Sequence, residues 1–173
     1  MKKFSFTSVC LILLVSFFAQ GQTNLKIGHV NIQEIVKQLP ETDTIQMLLK
    51  KEADDMEKMF NDMLKEHDSH VKKFEAEQNT YSEFVRKSRE NDLMEMATKI
   101  QQYQQTANQQ LQKRNMELIQ PVYDKVNKAI EKVALENGFT YVLDLSSGGV
   151  AFHSPTSEDL NSLVLREIGI EKH

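Results

Sequence analysis

Between Pro40 and Pro121 lie 80 residues that contain neither glycine nor proline. Those two residue types are the strongest punctuators of a chain, so this stretch can turn only at polar positions. Along its first half, Leu49, Ala53, Met56, Phe60, Met63, His67, His70 and Phe74 recur at steps of four and three, flanked by Leu48, Met59, Leu64 and Val71. That spacing predicts a long amphipathic helix of coiled-coil type. Unbroken, it would run roughly 120 Å at 1.5 Å per residue, so a reversal is expected. Asn79-Thr80-Tyr81-Ser82 is the best place for one, with Thr80 and Glu83 as a capping box, and Ser88 to Asp92 comes second. A turn near 79–82 yields an antiparallel helical hairpin about 60 Å long, occupying residues 41–120. Its returning arm carries Leu93, Ala97, Ile100, Ala107, Leu111 and Leu118, interleaved with seven glutamines from Gln101 to Gln112. That seam is thin.

The flanks read differently. Leu25 to Val30 has strand character, and Asn31 with Glu34 has the residue types of a capping box for a short helix bearing Ile32, Ile35, Val36 and Leu39, stopped or bent by Pro40. Pro121 is expected to kink or restart the helix, after which Val122, Val126, Ala129, Ile130 and Val133 form a stronger stripe ending at Asn137-Gly138. Phe139 to Leu145 alternates as a strand, with Tyr141 and Leu143 in phase against Val142. Ser146-Ser147-Gly148-Gly149 then leads to Val150-Ala151-Phe152, which predicts a β-hairpin. Beyond Pro155, Ser157 or Asp159 caps a last helix holding Leu160, Leu163, Val164, Leu165 and Ile168.

At the N-terminus, Lys2 and Lys3 precede an apolar run from Val9 to Phe18 and the small residues of Ala19-Gln20-Gly21, the pattern of a cleaved export signal with the cut after Gly21. The run is too short to span a bilayer. The only cysteine, Cys10, lies inside it. The mature chain of 152 residues then has no disulfide and no thiol nucleophile, and its 19 basic against 25 acidic residues leave a net charge of −6. A nucleic-acid binder needs a basic surplus or patch, so that class is disfavoured.

Three short strands and a few short helices make a small core. In the arms, each buried seam side chain contributes about 1.5–3 kcal/mol, while ordering each residue costs about 1.5 kcal/mol. A lone hairpin is therefore marginal. Oligomerisation that pools the strands and short helices of residues 22–40 and 121–173 into one body resolves this, and couples folding to assembly. The candidates for that body are Ile27, Val30, Ile32, Ile35, Val126, Ile130, Phe139, Val142, Leu143, Leu145 and Val150.

The nucleotide, serine-hydrolase and zincin patterns are all missing from the sequence, so no enzyme, metal site or cofactor is expected. His67 and His70, at i and i+3 beside Glu66 and Asp68, read first as polar seam residues and only second as metal ligands. All seven mature methionines lie between Met47 and Met116. Met56 and Met63 belong to the seam, whereas Met47, Met59 and Met96 fall off it and suit contact with varied partners. The basic residues Lys65, Lys72, Lys73, Arg86, Lys87 and Arg89 near the tip are mixed with acidic ones, as on a solvated helix surface.

The succession of an export signal, IGHVNIQEIVKQLPE, a long glycine-free hairpin, PVYDKVNKAIEKVALENGFTYVLD and SEDLNSLVLREIGI resembles the Skp/OmpH family of periplasmic chaperones for outer-membrane proteins. The resemblance spans essentially the whole mature chain. Its most specific parts are Val30-Asn31 with Pro40, and Pro121 through Asn137-Gly138-Phe139 to Asp144. It implies a mainly α fold with a small β part: a homotrimer whose β-barrel-like body carries three helical tentacles around a cavity. There, near a membrane surface, unfolded outer-membrane β-barrel proteins would be held without ATP. Family members are often basic and attract lipopolysaccharide; this mature chain is acidic, and no lipid-binding residue is carried over. Candidate client contacts are Met47, Met59, Phe60, Tyr81, Phe84, Met94, Met96 and Tyr103. A second reading is a structural coiled-coil adaptor that docks one defined envelope protein.

Overall fold

The computed structural model describes residues 25–170. The export signal and its cut after Gly21 lie outside the described residues. Strand β1 (Ile27–Val30) runs into helix α1 (Ile32–Lys37). Asn31 sits between them in extended conformation, and its side-chain oxygen accepts the Glu34 N–H at 3.1 Å, so one of the unpaired amides of the first turn is capped locally. Two more are satisfied from far along the chain. The Asn31 N–H donates to Asn161 Oδ1 at 2.8 Å and the Ile32 N–H to Asp144 Oδ1 at 3.3 Å.

Pro40 does more than stop α1. It is the first residue of helix α2 (Pro40–Glu77), where its missing N–H costs nothing, and it holds Leu39 in the extended backbone that turns the chain. The chain reverses through a 3₁₀ turn at Gln78–Thr80. Helix α3 (Glu83–Glu136) begins there. Its N-cap is Ser82 rather than Thr80: Ser82 Oγ accepts the Val85 N–H, while the Thr80 hydroxyl donates back to the Glu77 carbonyl. Ser88 to Asp92 is interior helix.

The restart expected at Pro121 does not occur. Helix α3 continues through Pro121, which is exposed, because Val122, Val126, Ala129 and Val133 beyond it are all buried. Arm and body thus share one helix of 54 residues, roughly 80 Å long at 1.5 Å per residue. It ends where Gly138 takes the left-handed φ of +70°. The Phe139 N–H then reaches back to the Ala134 carbonyl at 2.9 Å, closing the helix and turning Phe139 into the core.

The β-hairpin predicted after Phe139 is also absent. Strand β2 (Tyr141–Asp144) pairs in parallel with β1, and so does the two-residue strand β3 (Glu158–Asp159), giving the order β2-β1-β3. Val150-Ala151-Phe152 lies in the connection. The reason is Asp144, whose carboxylate accepts the N–H and O–H of Ser146 and coils Leu145–Ser147 into a 3₁₀ turn, so the chain cannot fold straight back. Leu145 and Val150 are half-buried and belong to no core layer. The last helix, α4 (Asn161–Ile168), follows Leu160, with Asp159 Oδ1 accepting the Asn161 N–H; Ser157 does not cap it and instead binds His29.

One face of the sheet packs on α1, α3 and α4. Val30, Ile35, Val36, Leu39, Val122, Val126, Ala129, Val133, Phe139, Leu160, Val164 and Leu165 form the core, with Ile32, Ile130 and Val142 against it. Because Asp144 serves both the α1 N-terminus and the turn after β2, Asp144→Ala should destabilise the body by about 1–3 kcal/mol. Chemical denaturation monitored by far-ultraviolet circular dichroism reads this directly.

Candidate functional site

The arm is built from α2 and the first two-thirds of α3. Ile45, Leu49, Ala53, Met56, Phe60, Met63, His67, Val71 and Phe74 of α2 are half-buried along one line, and Leu93, Met96, Tyr103, Ala107, Leu111 and Leu118 of α3 face them. Along these two lines only Ile100, between Met96 and Tyr103, is buried. Steps of three and four keep the line on one face of each helix, but the two lines do not fill the space between them. Open clefts remain: about 220 Å³ beside Met56, Phe60, Tyr103 and Leu111, and about 250 Å³ beside Met63, Met96 and Ile100. Such an interface has few tight contacts, which places the arm at the low-stability end of the molecule.

Polar ties complete it. The Tyr103 hydroxyl donates to the Met56 carbonyl at 3.2 Å, and Arg114 Nε lies 3.3 Å from Glu52 Oε1. At the tip, Tyr81 packs near Phe74 and its hydroxyl donates to Glu77, which pushes the Tyr81 phenol above its ordinary range. At the base, Lys125 Nζ meets Glu41 Oε1 at 2.5 Å. That hydrogen bond, helped by one from the Glu41 backbone, holds the Glu41 carboxyl below the usual range. A lowered carboxylate stabilises fully above its unfolded value and loses that contribution as pH falls through the folded one. Amide protection factors at the arm base, taken relative to the intrinsic exchange rate at each pH, should therefore fall only in acid below the ordinary carboxylate range. Lys125→Met should remove that dependence, at a cost below about 1 kcal/mol because both side chains are half exposed.

The eight contact candidates divide in two. Phe60, Tyr81, Met96 and Tyr103 are half-buried within the hairpin itself, so Met96 joins the seam and the off-seam assignment is corrected. Ala97, expected in the seam, is exposed: the returning helix is rotated so that Met96 and Ile100 point inward. Met47, Met59, Phe84 and Met94 are free, with exposures of 75%, 54%, 85% and 68%. Met116, not singled out by sequence, is nearly as exposed as Met94. His67 is half-buried in the seam and His70 is exposed, so the two do not converge on one point. Among the described residues no group of three or more His, Cys, Asp or Glu could hold a metal ion.

Of the body candidates, Val30, Ile35, Val126 and Phe139 are consumed by the core within one chain. Ile27 and Leu143 are not. They share the outer sheet face with Tyr141, since Ile27 pairs with Tyr141 and His29 with Leu143 in register. The exposures are 43% for Ile27, 59% for Tyr141 and 41% for Leu143. Among the described residues only His29 is covered on that face, by Ser157 Oγ at 2.9 Å from Nδ1 and by the His153 ring at 4.7 Å. Tyr141 was missed as a body residue although the alternation of FTYVLDL already put it in phase with Leu143.

A long two-helix arm rising from a small parallel sheet, with no convergent polar centre along it among the described residues, defines a class of tentacled helical-hairpin proteins. The chain belongs to the family described as Outer membrane protein (OmpH-like), whose family model matches residues 26–168. It is 27% identical over 143 residues to the chaperone protein Skp of Yersinia enterocolitica, covering 83% of this chain and 85% of that one. It is 25% identical over 160 residues to the chaperone protein Skp of Photorhabdus luminescens, covering 90% and 93%. The crystal structure of a putative outer membrane chaperone (OmpH-like) from Caulobacter crescentus shares the fold, with a TM-score of 0.70 over 82% of each chain at 15% identity.

Proposed function

We infer that this protein is an ATP-independent periplasmic holdase that, as a homotrimer, keeps unfolded outer-membrane β-barrel proteins from aggregating between its arms. The observation that carries the reading is the loosely filled arm: a hairpin with one buried seam residue, open clefts and several large apolar side chains facing solvent, Met47, Met59, Phe84 and Met94 among them. Such a surface adapts to clients of different shape. Membership of the OmpH-like family and relatives named chaperone Skp support it. The uncovered apolar sheet face supports assembly through the body, because three large apolar side chains on one face of a small sheet mark an interaction surface. No step of this function calls for a catalytic residue.

The test is the mass of the mature protein by light scattering after size exclusion, alone and with a urea-denatured outer-membrane β-barrel protein. A trimer that takes up the client in a soluble complex is the expected result. A monomer, or an oligomer that ignores the client, would defeat the reading, and one stoichiometric envelope partner would favour the adaptor. Replacing Met47, Met59, Phe84 and Met94 together by Ser should leave the fold intact and weaken client binding about tenfold or more, given the apolar area removed.

A further inference from the structure

From Ile100 to Gln112 no residue carries a charge, in a chain where 27% of residues are charged. Thr98, Gln101, Gln105, Gln109 and Gln112 follow one another at steps of three and four, so they form a single stripe on α3. All five are exposed, on the side of the helix away from the seam residues Ile100, Tyr103 and Leu111. The same phase continues to Met94 at one end and Met116 at the other, both exposed apolar side chains. Lys99 and Lys113, the charges that bound this run, are each tied to a carboxylate of the same helix, Lys99 to Glu95 at 2.6 Å and Lys113 to Glu117 at 3.7 Å. None of the four glutamine amides has a hydrogen-bond partner among the described residues.

We propose that this stripe is a docking surface for the backbone of an extended, unfolded polypeptide. The inference rests on the holdase reading and specifies how the arm grips its client. A side-chain amide offers two N–H donors and a carbonyl acceptor, the same groups that an unpaired peptide unit presents. It therefore binds any sequence in extended conformation, whereas a carboxylate or ammonium would demand one sign of partner and pay a desolvation cost. From Met94 to Met116 the stripe is roughly 33 Å long at 1.5 Å per residue, the span of about ten extended residues at 3.3 Å each. Methionines at both ends supply adaptable apolar contacts to whichever side chains lie there. An uncharged partner with alternating donors and acceptors is what this face complements, and an unpaired β-strand is such a partner.

Two quadruple variants at Gln101, Gln105, Gln109 and Gln112 test it, one to Glu and one to Ala. Alanine raises helix propensity, so that variant should fold. Circular dichroism and light scattering check helix content and mass, and fluorescence titration with a urea-denatured outer-membrane β-barrel protein reads affinity. Both variants are expected to keep the mass and helicity of the parent and to bind at least about tenfold more weakly. Three results overturn the proposal: both variants within about twofold of the parent; loss in the Glu variant alone, which is charge repulsion; or a fall in mass, which makes the stripe a contact between copies. If the unmodified protein takes up no client, the holdase reading fails, and this inference with it.

Discussion

Replacing Tyr141 and Leu143 together by aspartate is expected to reduce the assembled protein to a monomer without unfolding the protomer's own core. Both side chains sit on the sheet face that, among the described residues, is covered only at His29, by His153 and Ser157. Neither belongs to the buried layer formed by Val30, Phe139 and Leu160 on the opposite face. Each large apolar side chain that assembly covers contributes about 1.5–3 kcal/mol, and each copy would supply three of them. Burying two unpaired carboxylates there instead costs more than is gained. Light scattering should show the mass of one chain, and the thermal midpoint should become lower and independent of concentration. An unchanged mass would mean that the copies meet elsewhere.

The opposite substitution site is internal. Leu160→Ala is expected to destabilise the protomer by about 2–5 kcal/mol, since a fully buried leucine is emptied from a core too small to collapse around the gap. Leu160 also has the N–H that donates to the His29 carbonyl at 2.9 Å, where β3 meets β1, so its packing fixes the third strand. Gly28 is the matching test from the other side. A Cβ on Gly28 would lie 2.9 Å from both Leu160 Cδ1 and Phe139 Cε1, so Gly28→Val should cost about 1–3 kcal/mol by overpacking. Denaturant unfolding of each variant gives the values. If Gly28→Val were silent, the close packing of β1 on Phe139 and Leu160 would be wrong.

These two experiments separate what a linear reading can see from what it cannot. The glycine-free stretch, its three-four spacing and the polar break at 79–82 were legible because a helix repeats locally, and its core face is written at fixed intervals. Asn31 as a cap and Asn137-Gly138 as a stop were legible for the same reason: their partners lie within four or five residues. The misreadings share one cause. Pro121 was given its local cost, but the buried Val122, Val126 and Val133 beyond it override that cost. Phe139 to Phe152 was read as a hairpin because adjacent strands usually pair, yet Asp144 bends the chain and both later strands seek β1 more than 110 residues away. Met96 and Ala97 exchanged roles because the relative rotation of two helices depends on how their surfaces fit.

Alone, then, the sequence determined the helical arm, its length, the place of its reversal and the existence of a small β-bearing body, all properties set by residue periodicity and local capping. Only the tertiary structure decided that the sheet is parallel, that one helix runs unbroken from arm tip to body, and that Ile27, Tyr141 and Leu143 are left on an open face. Those outcomes depend on pairings between distant segments, whose energies appear only once the chain has closed on itself.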